Sequence, residues 1–141
     1  QPGADAAGGT KIHWHDDKDC NRALGLVLHA ADVSNPAKKW QLYFDWTERV
    51  MEEFYRQGER ERAKHVQISA GGFSFLKRQA PVPLEKFQLG FIKAIVSPLY
   101  KELAAVSGFD IEVCVNQLNQ NTRVWQSKVA RNAAKDGPEE S

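Results

Sequence analysis

Leu28 to Gly58 reads LHAADVSNPAKKWQLYFDWTERVMEEFYRQG, and the fold turns on how this stretch is parsed. A proline pushes the residue ahead of it out of the α region, so the helix that carries His29-Ala30-Ala31-Asp32 must stop before Pro36. Ser34-Asn35-Pro36 then makes a sharp turn, and a second helix takes over from about Lys39 to Ala63. At about 100° per residue Tyr43, Thr47, Val50, Phe54 and Gln57 share one face of that helix, while Asp45, Glu48, Arg49, Glu52 and Arg56 cover the opposite side. Glu52 and Arg56 form a favourable i,i+4 pair. Glu53 sits at the margin of the apolar face, about 60° from Val50, where an acid can reach inward. Trp46 is expected in the core. Asp32 ends the first helix, and an acid there is costly unless it is paired, hydrogen-bonded or bound to a cation. The residues alone leave two roles open for it, an acid that fixes the turn or a cation ligand.

Upstream, Ala23, Leu24, Leu26, Val27, Ala30 and Ala31 are dense enough to predict a largely buried helix from about Lys18 to Asp32. His29 within it is expected to be a packed, hydrogen-bonded core histidine rather than a ligand. His13, His15, Asp16 and Asp17 crowd into five residues, a cluster that could in principle make a metal site, and Lys18-Asp19 follow directly. A solvated or cap-forming segment is expected, with Asp16, Asp17 or Asp19 suited to a helix's first turn. Downstream, Glu59 to Lys64 is a charged helix end, and Gly71-Gly72 with Phe73 and Phe75 suggests a mobile flap or a partner contact. A third helix runs from Leu84 to about Val106, with Leu84, Gln88, Phe91, Ile95 and Leu99 in one stripe and Pro98 as a kink. Gln88 is the one strongly polar member of that stripe, so its amide must find partners. The last helix, Asp110 to about Ala133, shows Ile111, Val115, Leu118, Thr122, Trp125 and Val129 on one face.

At 141 residues the chain is one domain at most. Its 19 Lys+Arg and 18 Asp+Glu nearly cancel, and no basic stripe calls for nucleic acid. Two cysteines, Cys20 and Cys114, are too few for a disulfide framework and fit a reducing, cytoplasmic setting. No apolar run approaches the about 18 residues of a membrane span. The chain opens without an initiator Met, as an interior fragment would. Residues 1–17 are expected to be a flexible lead-in, 18–133 the folded part, and 134–141 a disordered tail.

H-A-A-D-V-S-N-P-A-K at 29–38, W-T-E-R-V-M-E-E-F-Y-R-Q-G at 46–58 and F-Q-L-G-F-I at 87–92 occur in this order. Together they resemble the second half of the catalytic domain of class I cyclic-nucleotide phosphodiesterases, over roughly Asn21 to Val129. The resemblance implies an all-α fold, the C-terminal part of the multi-helix, HD-type phosphodiesterase catalytic domain. It implies that Asp32 is a ligand of a tightly held divalent metal, and that Glu53 helps orient a catalytic histidine. Gln88 resembles the amide that hydrogen-bonds a purine edge, and Phe91 the aromatic that stacks on its face, with Val50 closing from the far side. Asn35, Tyr43 and Thr47 resemble residues that line the base pocket. An amide offers both donor and acceptor, so Gln88 serves adenine or guanine equally.

The implied activity is hydrolysis of the 3′ ester of cyclic AMP or cyclic GMP to the 5′ monophosphate. It uses two divalent ions about 3.5–4 Å apart, Zn²⁺ and Mg²⁺ or Mn²⁺. The H-N-x-x-H motif that supplies the general acid and a ligand does not occur here, and His15-Asp16 is followed by Asp17-Lys18-Asp19 rather than by the family's H-D-x-x-H-x-G pattern that supplies two more ligands. The missing N-terminal half of the domain is therefore an implied partner, beside the cyclic nucleotide, and the chain alone is expected to be inert. A truncated helical fragment that acts as a binding or interaction module is the alternative. The sequence departs from the family pattern at 69–81, where only Ile68-Ser69 is kept, and at Phe87, where a small residue is usual.

Overall fold

The SNP corner divides two helices as the proline requires: α1 spans Asp17–Asp32 and α2 spans Trp40–Ala63, with a short 3-10 turn at Asn35–Ala37 between them. The computed structural model describes residues 13–67, 78–80, 83–106 and 108–135. The expectations for residues 1–12, for most of the divergent loop and for the tail from Asp136 lie outside the described residues. Among the described residues the fold is all-α, and α3 (Leu84–Phe91), α4 (Ser97–Ala105) and α5 (Glu112–Lys135) complete it.

Local chemistry sets the helix ends. Asp16 accepts from the Lys18 backbone N–H and caps α1, with Asp17 and Asp19 in the first turn where the helix dipole favours acids. The crowded His13–Asp17 stretch is thus an exposed capping segment. Beyond α2, the His65 N–H donates to the Arg62 carbonyl and the Val66 N–H to the Glu61 carbonyl, a Schellman-type closure. That closure places His65 at φ 53°, a left-handed position that usually falls to glycine.

The third predicted helix is interrupted where Pro98 demands it. Ile92–Val96 forms a π turn, and α4 restarts with Pro98 in its first turn. Proline lacks the N–H and crowds the carbonyl four residues earlier, and a π turn relieves this by inserting one residue into the helical count. The insertion moves the stripe. Ile92, Val96, Tyr100 and Leu103 are buried, whereas Ile95, expected inside, is exposed.

The core gathers Ala30, Tyr43, Ile92, Val96, Tyr100, Leu103, Leu118 and Trp125. Trp40, Tyr43, Phe44 and Trp125 meet with centroids 5.0–6.1 Å apart. A ring of Trp125's size buries roughly 150–250 Å², an upper estimate of about 4–6 kcal/mol at about 25 cal/mol per Å². Two polar ties lock the corner to this core. The Asn121 amide donates to the Pro36 and Lys38 carbonyls, both at 2.7 Å, and the Tyr100 hydroxyl donates to the Ala30 carbonyl at 3.3 Å.

Three burial expectations fail. α1 packs mainly against α4 and buries only Ala23 and Ala30, leaving Leu24 64% and Leu28 73% exposed. His29 is exposed on α1 rather than packed in the core. Trp46 is 46% exposed, because α2 turns Tyr43, Thr47 and Met51 inward and leaves Trp46 under the Arg49 guanidinium, 5.2 Å from the ring centroid. No helix of the described residues is long and apolar enough to cross a membrane.

Candidate functional site

A cavity of about 170 Å³ opens between the SNP corner, α2 and α3. Asp32, Asn35, Thr47, Val50, Gln88 and Phe91 all line it, joined by Val33, Phe54 and Phe87. Pockets for drug-sized ligands run from about 300 Å³ upward, so this one is sized for a flat ring rather than a whole nucleotide. Phe91 and Val50 supply its apolar walls. Val33 and Phe54 went unnoticed as lining residues, although Phe54's place one turn beyond Val50 on the same α2 face was the signal available.

Gln88 is 7% exposed and its amide is held by a chain of donors. The Trp125 indole N–H donates to the Tyr43 hydroxyl at 3.0 Å, and that hydroxyl lies 2.7 Å from Gln88 Oε1. An indole can only donate, so the Tyr43 oxygen accepts from it and must give its own proton to Gln88. The atom facing Tyr43 is therefore the Gln88 carbonyl oxygen. Burial pushes the Tyr43 hydroxyl far above the usual tyrosine value, against a smaller opposing effect of the Trp125 hydrogen bond. Tyr43 stays a proton donor at every physiological pH. It is fully buried, is absent from the cavity lining, and shapes the pocket through the lining residues it holds.

Asn35 is oriented in the same manner. Its Nδ2 donates to the Tyr43 carbonyl at 3.3 Å and to Thr47 Oγ1 at 3.4 Å, and Thr47 in turn donates to the Tyr43 carbonyl at 2.9 Å. With its N–H groups turned into α2, Asn35 offers the cavity its carbonyl oxygen. The lining thus presents a donor from Gln88 and an acceptor from Asn35.

Asp32 also lines this cavity, is exposed, and borders a neighbouring hollow with Ala31, Ser34, Lys38 and Trp46. It is the one acid in the cavity lining. Among the described residues no three or more His, Cys, Asp and Glu come together as a metal would need. The described residues therefore contribute one carboxylate and do not hold a metal pair by themselves.

The structure does not bring Glu53 to this cavity. It lines a separate, larger groove of about 780 Å³ on the solvent side of α2, with Arg49, Glu52, Arg56 and Arg60. That groove is an interleaved charge surface rather than a pocket with convergent groups. Glu52 is held there by Arg78 at 2.6 Å and by Arg56 at 2.7 Å, and these partners lower its pKa to about 2. Asn121 escaped notice as the residue that pins the corner. It lies between Leu118 and Trp125 at helical spacing on the buried side of α5, which was the signal.

A model of the 3′5′-cyclic nucleotide phosphodiesterase family matches residues 5–118. The chain belongs to that family. A probable 3′,5′-cyclic-AMP phosphodiesterase of Caenorhabditis elegans is 36% identical over 123 residues, 87% of this chain and 18% of that protein. The 3′,5′-cyclic-AMP phosphodiesterase 4C of Mus musculus is 37% identical over 108 residues, 77% of this chain and 15% of that protein. The solved structure of LmjPDEB1 in complex with IBMX superposes with a TM-score of 0.75 at 27% identity, over 84% of this chain and 34% of that one. The chain thus spans under a fifth of the length of these curated relatives and about a third of the solved phosphodiesterase, whose all-helical architecture it shares.

Proposed function

We propose that this chain is the base-binding part of a cyclic-AMP phosphodiesterase, and that the complete domain hydrolyses the 3′ phosphoester to 5′-AMP. One observation carries the reading: Asn35, Gln88, Phe91 and Asp32 line one small cavity, with Gln88 held by Tyr43. Adenine presents the N6 amino donor beside the N7 acceptor along one edge, whereas guanine presents two acceptors there. A donor from Gln88 and an acceptor from Asn35 complement adenine and mismatch that edge of guanine. Phe91 stacks on the ring, a contact worth about 1–3 kcal/mol, and Val50 covers the other face. The cyclic-AMP activity named for the two curated relatives points the same way.

Asp32 is the one metal ligand assigned to this chain, and the other ligands come from the family's N-terminal half. When bound, two divalent ions supply a hydroxide at neutral pH and charge stabilisation on the phosphate. What these residues do is bind the base and aim the sugar-phosphate toward Asp32. On this reading the chain alone binds the purine without hydrolysing the ester. The unpaired cysteines fit a cytoplasmic enzyme.

The test joins this chain to the N-terminal portion of the Caenorhabditis elegans relative's catalytic domain and measures cyclic-AMP hydrolysis with Mg²⁺ and Zn²⁺ present. Turnover by the chimera, its loss on Asp32→Ala, and a raised KM for cyclic AMP on Gln88→Ala are expected, with no turnover by the chain alone. Robust hydrolysis by the unjoined chain, or a chimera indifferent to Gln88→Ala, contradicts the assignment.

A further inference from the structure

From Arg123 onward α5 carries Arg123, Lys128, Arg131 and Lys135 and no acid. Lys128, Arg131 and Lys135 recur at i, i+3 and i+7, a spacing that lines side chains along one helix face. They border a groove of about 370 Å³ between the start of α3 and the end of α5, whose lining shares no residue with the Gln88 cavity. Phe44, Leu84 and the buried Trp125 supply the apolar part of a mixed lining. The Lys128 ammonium lies 5.8 Å from the ring centroids of Trp40, Phe44 and Trp125, which holds it at the groove's edge. Glu85, the one acid in the lining, accepts at 2.6 Å from the Asn132 amide. The ion pairs of the described residues gather instead at Glu52 and Glu59 on α2.

We propose that this groove docks an acidic peptide segment of a partner protein, an apolar side chain seating on Phe44 and Leu84 while carboxylates meet Lys128, Arg131 and Lys135. A hollow that sets Phe44 and Leu84 beside three cations matches an extended segment that alternates apolar and acidic residues. An anionic membrane surface fits less well, since membrane docking needs apolar side chains that project outward, and here they line a hollow. The surrounding charges steer such a partner and make its binding salt-sensitive.

The experiment uses the full chain and fluorescence polarisation of a labelled peptide that interleaves Glu with Leu. Its controls are the same peptide with Gln for Glu, the same peptide with Ser for Leu, and vesicles of phosphatidylserine and phosphatidylcholine. The Glu-Leu peptide is expected to bind, each control peptide to bind at least about tenfold more weakly, and added salt to weaken binding. K128E/R131E/K135E removes the binding. R131E/K135E, which leaves Lys128 on its aromatic rings, weakens it by about tenfold with an unchanged thermal melt. No binding of the Glu-Leu peptide, equal binding of the Gln peptide, indifference to both variants, or partition onto phosphatidylserine vesicles in preference to the peptide each overturns the proposal.

Discussion

Gln88 and Asp32 line one cavity, and the chain treats them in opposite ways. Gln88 is buried, and its orientation is set by a hydrogen-bond chain through Tyr43 to Trp125 that draws on α2, α3 and α5. Asp32 stands exposed at the end of α1, a helix that rests mainly on α4 and leaves Leu24 and Leu28 in the open. The buried end is braced from within this chain; the exposed end offers one carboxylate. A flat ring needs walls and directed hydrogen bonds, which a local helical core can build. A metal pair needs many ligands, and these are not gathered among the described residues.

Substitutions at the two ends should separate them by size of effect. Trp125→Ala strikes the core and the donor chain together and is expected to cost about 3–5 kcal/mol, much of a small domain's stability. Urea unfolding followed by circular dichroism measures it; a loss near zero would break the contrast at its larger end. Asn121→Ala strands the Pro36 and Lys38 carbonyls and is expected to cost about 2–3 kcal/mol by the same measurement. Tyr43→Phe removes one oxygen, leaves the Trp125 N–H and Gln88 Oε1 unpaired, and is expected to cost about 1–3 kcal/mol. It also frees the Gln88 amide to turn, so discrimination between AMP and GMP in a binding titration should narrow.

The charged surface of α2 gives a smaller, pH-dependent effect. The Glu52 pKa is depressed from 4.5 to about 2, chiefly by the Arg78 hydrogen bond and then by Arg56. A depressed acid contributes stability above its unfolded pKa and loses it as pH falls through the folded one. Glu52→Gln should therefore melt below the wild type above about pH 4.5, with the gap closing toward about pH 2. Because this acid is exposed, solvent screening keeps the gap small. Asp32→Ala comes last, within about 0.5 kcal/mol of wild type, since its side chain is exposed and no hydrogen bond or ion pair among the described residues depends on it. Marked destabilisation would assign Asp32 to fixing the turn instead.

Much of this arrangement was legible from the order of residues. Pro36 ends α1 and Asp32 precedes it; Gln88 interrupts an apolar stripe; both inferences rest on local rules that tertiary packing rarely overrides. What escaped came from longer range. The π turn ahead of Pro98 moves burial from Ile95 to Ile92 and Val96, and no fixed 3.6-residue period anticipates an inserted residue. Trp46, Leu24 and Leu28 are apolar, and apolarity does not say which faces meet a neighbour. Asn121 was hidden because its partners are backbone carbonyls 83 and 85 residues away. Glu53 shows how coarse a helical wheel is, since a residue at a face's margin can open onto either side.

The central claim is that the Gln88 amide, held by Tyr43, faces a purine. Side-chain amide NMR of the purified chain titrated with AMP tests it most directly. The Gln88 Nε2 protons should shift together with Phe91 and Asn35, more strongly for AMP than for GMP, and Tyr43→Phe should reduce that difference. An unmoved Gln88 amide at saturating AMP, or shifts confined to the groove around Glu53, would contradict the account.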